Sequence, residues 1–438
     1  MLRSPLPYSF LPVTAALATA LAIGCGADPS QEPQRALTSE VSATGKIDNE
    51  PIRTIDHYVH HVSTVDANYG KHVKLFVREK VRRACTFNNA DFLVPHVSTA
   101  PANAGETVQS FVRERGVSCG PAVLMITGST QPAMAPFDLE FENYSWMDFL
   151  ANAGFDVFAM DLTGYGLSPR PTMDDPCNAS QTEQTSLLIP NPLSTTCPAS
   201  YPFRLVTSQS EWDEIDTVVE HLRRLRHVDR VNLVGWSLGA PRVGGYTARH
   251  PDKVDKILLY APFYDRLEPS KPPAALPQPG VPMLVRTIAS FFSGWDTQVG
   301  CRNQFASGVR DALKSTILDF DPIGSEWGTQ ELWRAPNSSS RWGWNVASAG
   351  AIRAPTLIIR GDLDKTVLET PTRDLYADLG STDKVFVHVA CAAHQMVWEN
   401  QHMALLEASR EWLSTGRFGG STTGSFSVDT NGVIHHDP

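Results

Sequence analysis

The sequence has no long run of Lys or Arg and no interleaving of basic with aromatic residues, so it offers nothing that would track a nucleic-acid backbone. Beyond the N-terminus there is no apolar stretch near the length of a bilayer span. The cysteines show none of the paired spacings that hold a metal, and no internal repeat is evident. The Gly-rich stretch Asp161–Leu162–Thr163–Gly164–Tyr165–Gly166–Leu167–Ser168 is not followed by a helix opening on Lys-Ser or Lys-Thr, which favours a structural loop over a phosphate site. What the chain does have is ordinary globular material, 42% hydrophobic and 19% charged, with a net charge of −10 that speaks for solubility. Its 438 residues exceed a typical single core, so one large domain with insertions, or two domains, is expected.

The N-terminus reads as a targeting signal. Arg3 gives a positive start, Val13 to Ile23 is an apolar or small-residue run too short for a comfortable span, and Gly24–Cys25 follows. Ala22–Ile23–Gly24–Cys25 resembles a bacterial lipobox, although Leu is usual where Ala22 stands. That implies a lipidated Cys25 and a membrane-anchored protein at the cell envelope; an ordinary cleaved signal peptide, giving a secreted protein, and an uncleaved anchor are the alternatives. Residues 26–52 are rich in Pro, Gln, Ser, Thr and Glu and read as a flexible tether. Setting Cys25 aside leaves an even set in an exported chain, the mark of disulfides. Order along the chain suggests Cys85 with Cys119, Cys177 with Cys197, and Cys301 with Cys391.

The chain is organised around Val231–Asn232–Leu233–Val234–Gly235–Trp236–Ser237–Leu238–Gly239–Ala240, an apolar strand running into Gly-x-Ser-x-Gly and then a helical segment. A serine between strand end and helix start sits on a strained turn with its Oγ exposed, and glycines on either side let neighbouring backbones approach. The Leu238 N–H, at the start of the helix, would face a developing oxyanion. A second donor is assigned to Ser129 N–H, in the loop Thr127–Gly128–Ser129–Thr130 that follows the apolar run Ala122–Ile126.

Other elements follow from periodicity. His57–Val65 and His72–Val81 alternate as two strands joined through Asn68–Tyr69–Gly70, and the alternation of faces, with His60 opposite His57 and His61, keeps the three from converging and speaks against a metal site. Helices are expected over Phe141–Ala153, over Trp212–Leu225 with Ser208 or Ser210 as cap, and over Arg242–His250 and His402–Leu413; strands over Phe155–Met160, Val254–Tyr260, Pro355–Arg360 and Lys384–Val389. The long Pro, Asn, Ser and Thr-rich segment from Arg170 to about Tyr201 is expected to line the entrance to a site. Residues 266–350, dense in proline and then in tryptophan, interrupt the alternation of strand and helix and read as a cap giving the site an apolar roof. Residues 417–438, rich in Gly, Ser and Thr, read as a flexible tail.

The order of Ser237, an acid after a strand, and His394 after the last strand, with Thr127–Gly128–Ser129, Gly361–Asp362–Leu363–Asp364 and the Gly-rich stretch from Asp161, resembles the α/β-hydrolase superfamily from about His57 to Trp412. The resemblance implies a mostly parallel sheet flanked by helices, its core in residues 53–265 and 351–416. It also implies a catalytic triad of Ser237, His394 and Asp364, the acid being the third residue after the strand-ending glycine. Asp362 and then Asp265 are the fallbacks. Serine is a weak nucleophile at neutral pH, so an imidazole must take its proton and a carboxylate must hold that imidazole in the right tautomer. A serine where dehalogenases and epoxide hydrolases carry aspartate favours an acyl-enzyme. The expectation is an exported serine hydrolase cleaving a small-molecule carboxylic ester with an apolar part, without metal or cofactor and without a nucleic-acid partner. An exopeptidase or amidase, anchoring a substrate terminus on Glu326, Glu331 or Arg334, is the first alternative; a binding protein on a retired hydrolase fold is the second.

Overall fold

The computed structural model describes residues 51–82, 120–337 and 342–437, together with the backbone of Arg35–Ala36. Cys25, Cys85 and Cys119 lie outside the described residues, as does nearly all of the expected tether.

The strands are β1 (Arg35–Ala36), β2 (Ile52–Val62), β3 (His72–Arg82), β4 (Ala122–Ile126), β5 (Asp156–Met160), β6 (Val231–Trp236), β7 (Val254–Tyr260), β8 (Met283–Thr287), β9 (Leu332–Pro336), β10 (Thr356–Gly361), β11 (Lys384–Val389), β12 (Gly424–Val428) and β13 (Val433–His436). All but β8 and β9 form one 11-stranded sheet in the order β1-β13-β12-β11-β10-β7-β6-β4-β5-β3-β2. From β5 through β12 every pairing in that order is parallel, whereas β2, β3 and β13 join antiparallel. The apolar runs have a direct explanation: in β4 the side chains of Val123 and Met125 enter one core and those of Ala122, Leu124 and Ile126 the other, so both faces of the strand are covered. The fold is α/β, a mostly parallel sheet between helices.

Residues 266–350 hold the separate two-stranded sheet β8–β9 and the helices Ile288–Asp296 and Val309–Asp319. Their tryptophans dock them on the core. The Trp333 indole donates to Thr130 O (2.7 Å), that of Trp295 to Glu399 Oε1 (2.8 Å), and that of Trp344 to Phe263 O (3.0 Å). The segment after Arg170 packs on the same unit, with Met173, Ala179 and Leu188 against Met283, Val285 and Leu332. Cys177–Cys197 closes that segment, and Cys301–Cys391 ties residues 266–350 to the loop before His394.

Two readings need correction. The helix Ser208–Arg226 is capped by Thr207, whose side chain accepts from Ser210 N, so Ser210 is the third residue of a capping box and neither Ser208 nor Ser210 is the cap. The tail is also not flexible throughout, because β12 and β13 complete the sheet and bury Phe426, Val428 and Ile434. Small polar residues on the outer face hid that alternation, and the turn between the strands is set by Asp429, whose carboxylate accepts from Asn431 N and Val433 N.

Candidate active site

The turn after β6 has the geometry its glycines require. Ser237 has φ 56°, in the left-handed region where a non-glycine residue is strained. Added methyl groups would meet Gly239 O at 2.6 Å from Gly235 and Ile126 O at 2.4 Å from Gly239, so neither position has room for a side chain. The turn is pinned by Ser237 N donating to Tyr260 O (2.9 Å) and by Ala240 N and Phe263 N donating to Ser237 O (3.0 and 3.1 Å). The helix Gly239–Arg249 starts directly behind it and brings the positive end of its dipole to the serine.

Gly128 of the neighbouring loop lies close against the serine: a methyl group there would lie 2.8 Å from Ser237 Cβ and 3.5 Å from Oγ. The backbone N–H groups of Gly128, Ser129 and Leu238 have no hydrogen-bond acceptor among the described residues, and donors in that state beside a serine hydroxyl suit a developing oxyanion. The carbonyls of Thr127 and Gly128 both accept from one nitrogen of Arg242, at 2.7 and 2.9 Å.

Strands β10 and β11 deliver the other two groups. Asp364, buried past the end of β10, accepts from His394 Nδ1 at 2.9 Å through Oδ2 and from Thr366 N and Val367 N at 2.8 Å through Oδ1. Its neighbours are engaged elsewhere: Lys365 Nζ donates to Thr297 O, and Arg360 donates to the Asp364 carbonyl and pairs with Glu369 at 4.0 Å. His394 lies past β11, with its carbonyl held by the Tyr260 hydroxyl (2.6 Å) and its ring 5.5 Å from that of Trp236, the residue before Ser237. No direct hydrogen bond joins Ser237 Oγ to the imidazole; in serine enzymes such bonds commonly tighten only with substrate in place. The fallback acids are spent on other partners, Asp362 on His388 Nδ1 (2.8 Å) and Asp265 on its own turn through Leu267 N (2.9 Å).

Three residues that the sequence did not single out support this arrangement. Gln298 Oε1 accepts from both Lys365 N (2.9 Å) and His394 N (3.4 Å), bridging the acid loop and the histidine loop. Glu399, buried and held above its ordinary carboxylate range by that burial, accepts from Ala393 N at 2.8 Å. Arg242 is the third, and a charged side chain that is nevertheless buried in the first turn of the helix Gly239–Arg249 marks it.

The candidate groups of the alternative readings sit elsewhere. Arg334 is 1% exposed and paired with Asp321 and Asp174; Glu331 faces Lys314 at 2.9 Å; Glu326 is exposed. His57 bonds Glu79 and His61 bonds Thr217, and no metal-binding cluster occurs among the described residues. No helix among the described residues is long and apolar enough to cross a membrane.

The family model of the serine aminopeptidases, S33, matches residues 199–401, a span running from before Ser237 to beyond His394. No relative is found among curated proteins. Similar solved structures include a monoacylglycerol lipase from Paleococcus ferrophilus (19% identity, 68% of this chain and 96% of that one, TM-score 0.40). Others are a thermophilic esterase from Thermogutta terrifontis (14%, 82% and 99%, 0.44) and an esterase from Exiguobacterium antarcticum (11%, 82% and 100%, 0.43).

Proposed function

We propose that the chain is an α/β-hydrolase, an exported serine hydrolase that cleaves a carboxylic ester through an acyl-serine intermediate. The observation that carries this reading is the Asp364–His394 bond standing beside the strained Ser237 turn. Ser237 Oγ attacks the ester carbonyl carbon while His394 Nε2 takes its proton. Asp364 keeps the Nδ1 proton in place and stabilises the imidazolium. The carbonyl oxygen, now negative, is received by Ser129 N–H and Leu238 N–H. Collapse of the tetrahedral species expels the alcohol with the proton from His394, and water repeats the sequence on the acyl-enzyme to release the acid and free Ser237.

The exopeptidase reading is favoured by the family model over residues 199–401. Against it, Arg334 is already committed to two carboxylates and Glu331 to a lysine. Export is supported by Cys177–Cys197 and Cys301–Cys391, bridges that persist in oxidising compartments. Lipidation at Cys25 is the accompanying proposal, tested by the mass of the mature N-terminus.

The test of activity is to treat the protein and Ser237→Ala with a fluorophosphonate and with p-nitrophenyl esters of graded chain length. Labelling of the parent alone, with ester turnover, is the expected result. Labelling without ester turnover, but with release of N-terminal residues from peptides, transfers the assignment to the peptidase. Absence of labelling in both overturns the serine mechanism.

A further inference from the structure

We propose that Arg242 is a positioning residue that fixes the orientation of the Gly128–Ser129 peptide and so aims the Ser129 N–H at the oxyanion; this rests on the serine-hydrolase reading above. A trans peptide unit is planar, with its C=O and N–H pointing in opposite directions. The only cis bonds among the described residues precede Pro190, Pro192 and Pro277, so the units joining Thr127 to Gly128 and Gly128 to Ser129 are trans. Arg242 Nη1 takes both carbonyls, Thr127 O at 2.7 Å and Gly128 O at 2.9 Å. Both N–H groups of these units, on Gly128 and Ser129, therefore point away from the guanidinium, and neither has an acceptor among the described residues.

The alternative geometry is a peptide flip. Gly128 has no side chain to restrict its ψ, so sterics at that residue do not by themselves select one orientation. A flipped Gly128–Ser129 unit would turn its carbonyl oxygen to the side where negative charge develops. It would also leave one guanidinium donor unpaired in a buried site, where an unmade charged hydrogen bond is costly.

The guanidinium is itself held against drift. Arg242 is 2% exposed, and its other terminal nitrogen donates to Glu211 Oε1 at 2.6 Å and to the Tyr165 hydroxyl at 3.0 Å. Glu211 comes from the helix Ser208–Arg226 and Tyr165 from the Gly-rich loop after β5, so three elements converge on one cation. Because Arg242 lies on the helix that begins at the nucleophile turn, Ser237 and its oxyanion loop are referenced to the same rigid element. Lysine could not reproduce this, having no planar fork with which to reach two carbonyls and a carboxylate together.

The experiment compares the parent with Arg242→Met, Arg242→Lys and the milder Tyr165→Phe. It measures kcat and KM on a p-nitrophenyl ester, the pH profile of kcat/KM, and the affinity of a trifluoromethyl ketone that forms an oxyanionic adduct with serine. For Arg242→Met the expected loss is about 10²-fold to 10³-fold in kcat, the range for removing one oxyanion donor, with KM changed less than about threefold. Trifluoromethyl ketone affinity should fall in parallel while the pH midpoint stays in place, with Arg242→Lys and Tyr165→Phe intermediate on the same line. Should Arg242→Met fail to fold, the two milder variants decide the matter. Parental kcat and inhibitor affinity in folded variants, or a loss confined to KM or accompanied by a shifted pH midpoint, overturns the proposal. A parent that fluorophosphonate does not label at Ser237 instead overturns the reading on which it rests.

Discussion

Asp364 divides its carboxylate between two tasks: Oδ2 meets His394 Nδ1 at 2.9 Å, and Oδ1 is anchored by the N–H groups of Thr366 and Val367 at 2.8 Å. The oxygen facing the imidazole is thus fixed by the backbone of its own loop. Gln298 adds a link from that loop to the histidine's N–H, so the acid loop and the base loop share one acceptor.

Asp364→Asn should keep the fold, since an amide oxygen can still accept from Thr366 and Val367, but it presents an N–H to His394 and selects the wrong tautomer. The expected loss is about 10³-fold to 10⁴-fold in kcat on p-nitrophenyl acetate, with an unchanged melting temperature. Asp362→Asn, which touches His388, should stay within about threefold of parental kcat. A large loss there with a small one at Asp364 would move the acid assignment to Asp362.

Much of this centre was legible because its chemistry is local. Gly235, Ser237 and Gly239 must lie close in sequence to make the turn, and the apolar runs at β4, β6, β10 and β11 announce strands covered on both faces. What was not legible depends on contacts between distant residues. Arg242 looks like any helix arginine until Thr127, Gly128, Tyr165 and Glu211 surround it, and Gln298 lies 96 residues from the histidine it supports. β12 and β13 were missed because Gly424, Ser425 and Ser427 carry little hydrophobic signal, and only Phe426, Val428 and Ile434 face inward.

Glu214 gives the fold a pH dependence. Burial pushes its carboxyl from 4.5 up to about 7, against the opposing hydrogen bond from Thr163 N at 2.9 Å. The folded state then keeps a proton that the unfolded chain has released above its ordinary value, so stability falls as pH rises from about 4.5 through about 7. Glu214→Gln, which mimics the protonated group, should match the parent in melting temperature at pH 4 and exceed it by a few degrees at pH 8. Equal melting temperatures at both values would show that Glu214 carries no such cost.

The Cys301–Cys391 bridge spans 90 residues and fastens the segment 266–350 three residues before His394. Replacing both cysteines by serine should lower stability by about 4.6 kcal/mol on the chain-entropy account for a loop of that length. Because Gln298 lies on the same segment, kcat should fall as well, and more than in a Cys177→Ser/Cys197→Ser protein. Unfolding in urea and ester turnover, measured on both variants, separate the two effects.

The chain's last strands cover the β11 edge of the sheet. β11 pairs with β12 along Val385–Val389, and β12 in turn with β13, so the buried centre of the sheet never presents a bare rim. A chain ended after Thr415 would leave the β11 backbone groups and the apolar neighbours of Phe426 open to another molecule's strand, a template for aggregation. Shortening for crystallisation or expression should therefore stop beyond His436, and a fusion partner joined there needs a spacer long enough not to pull that final hairpin out of register.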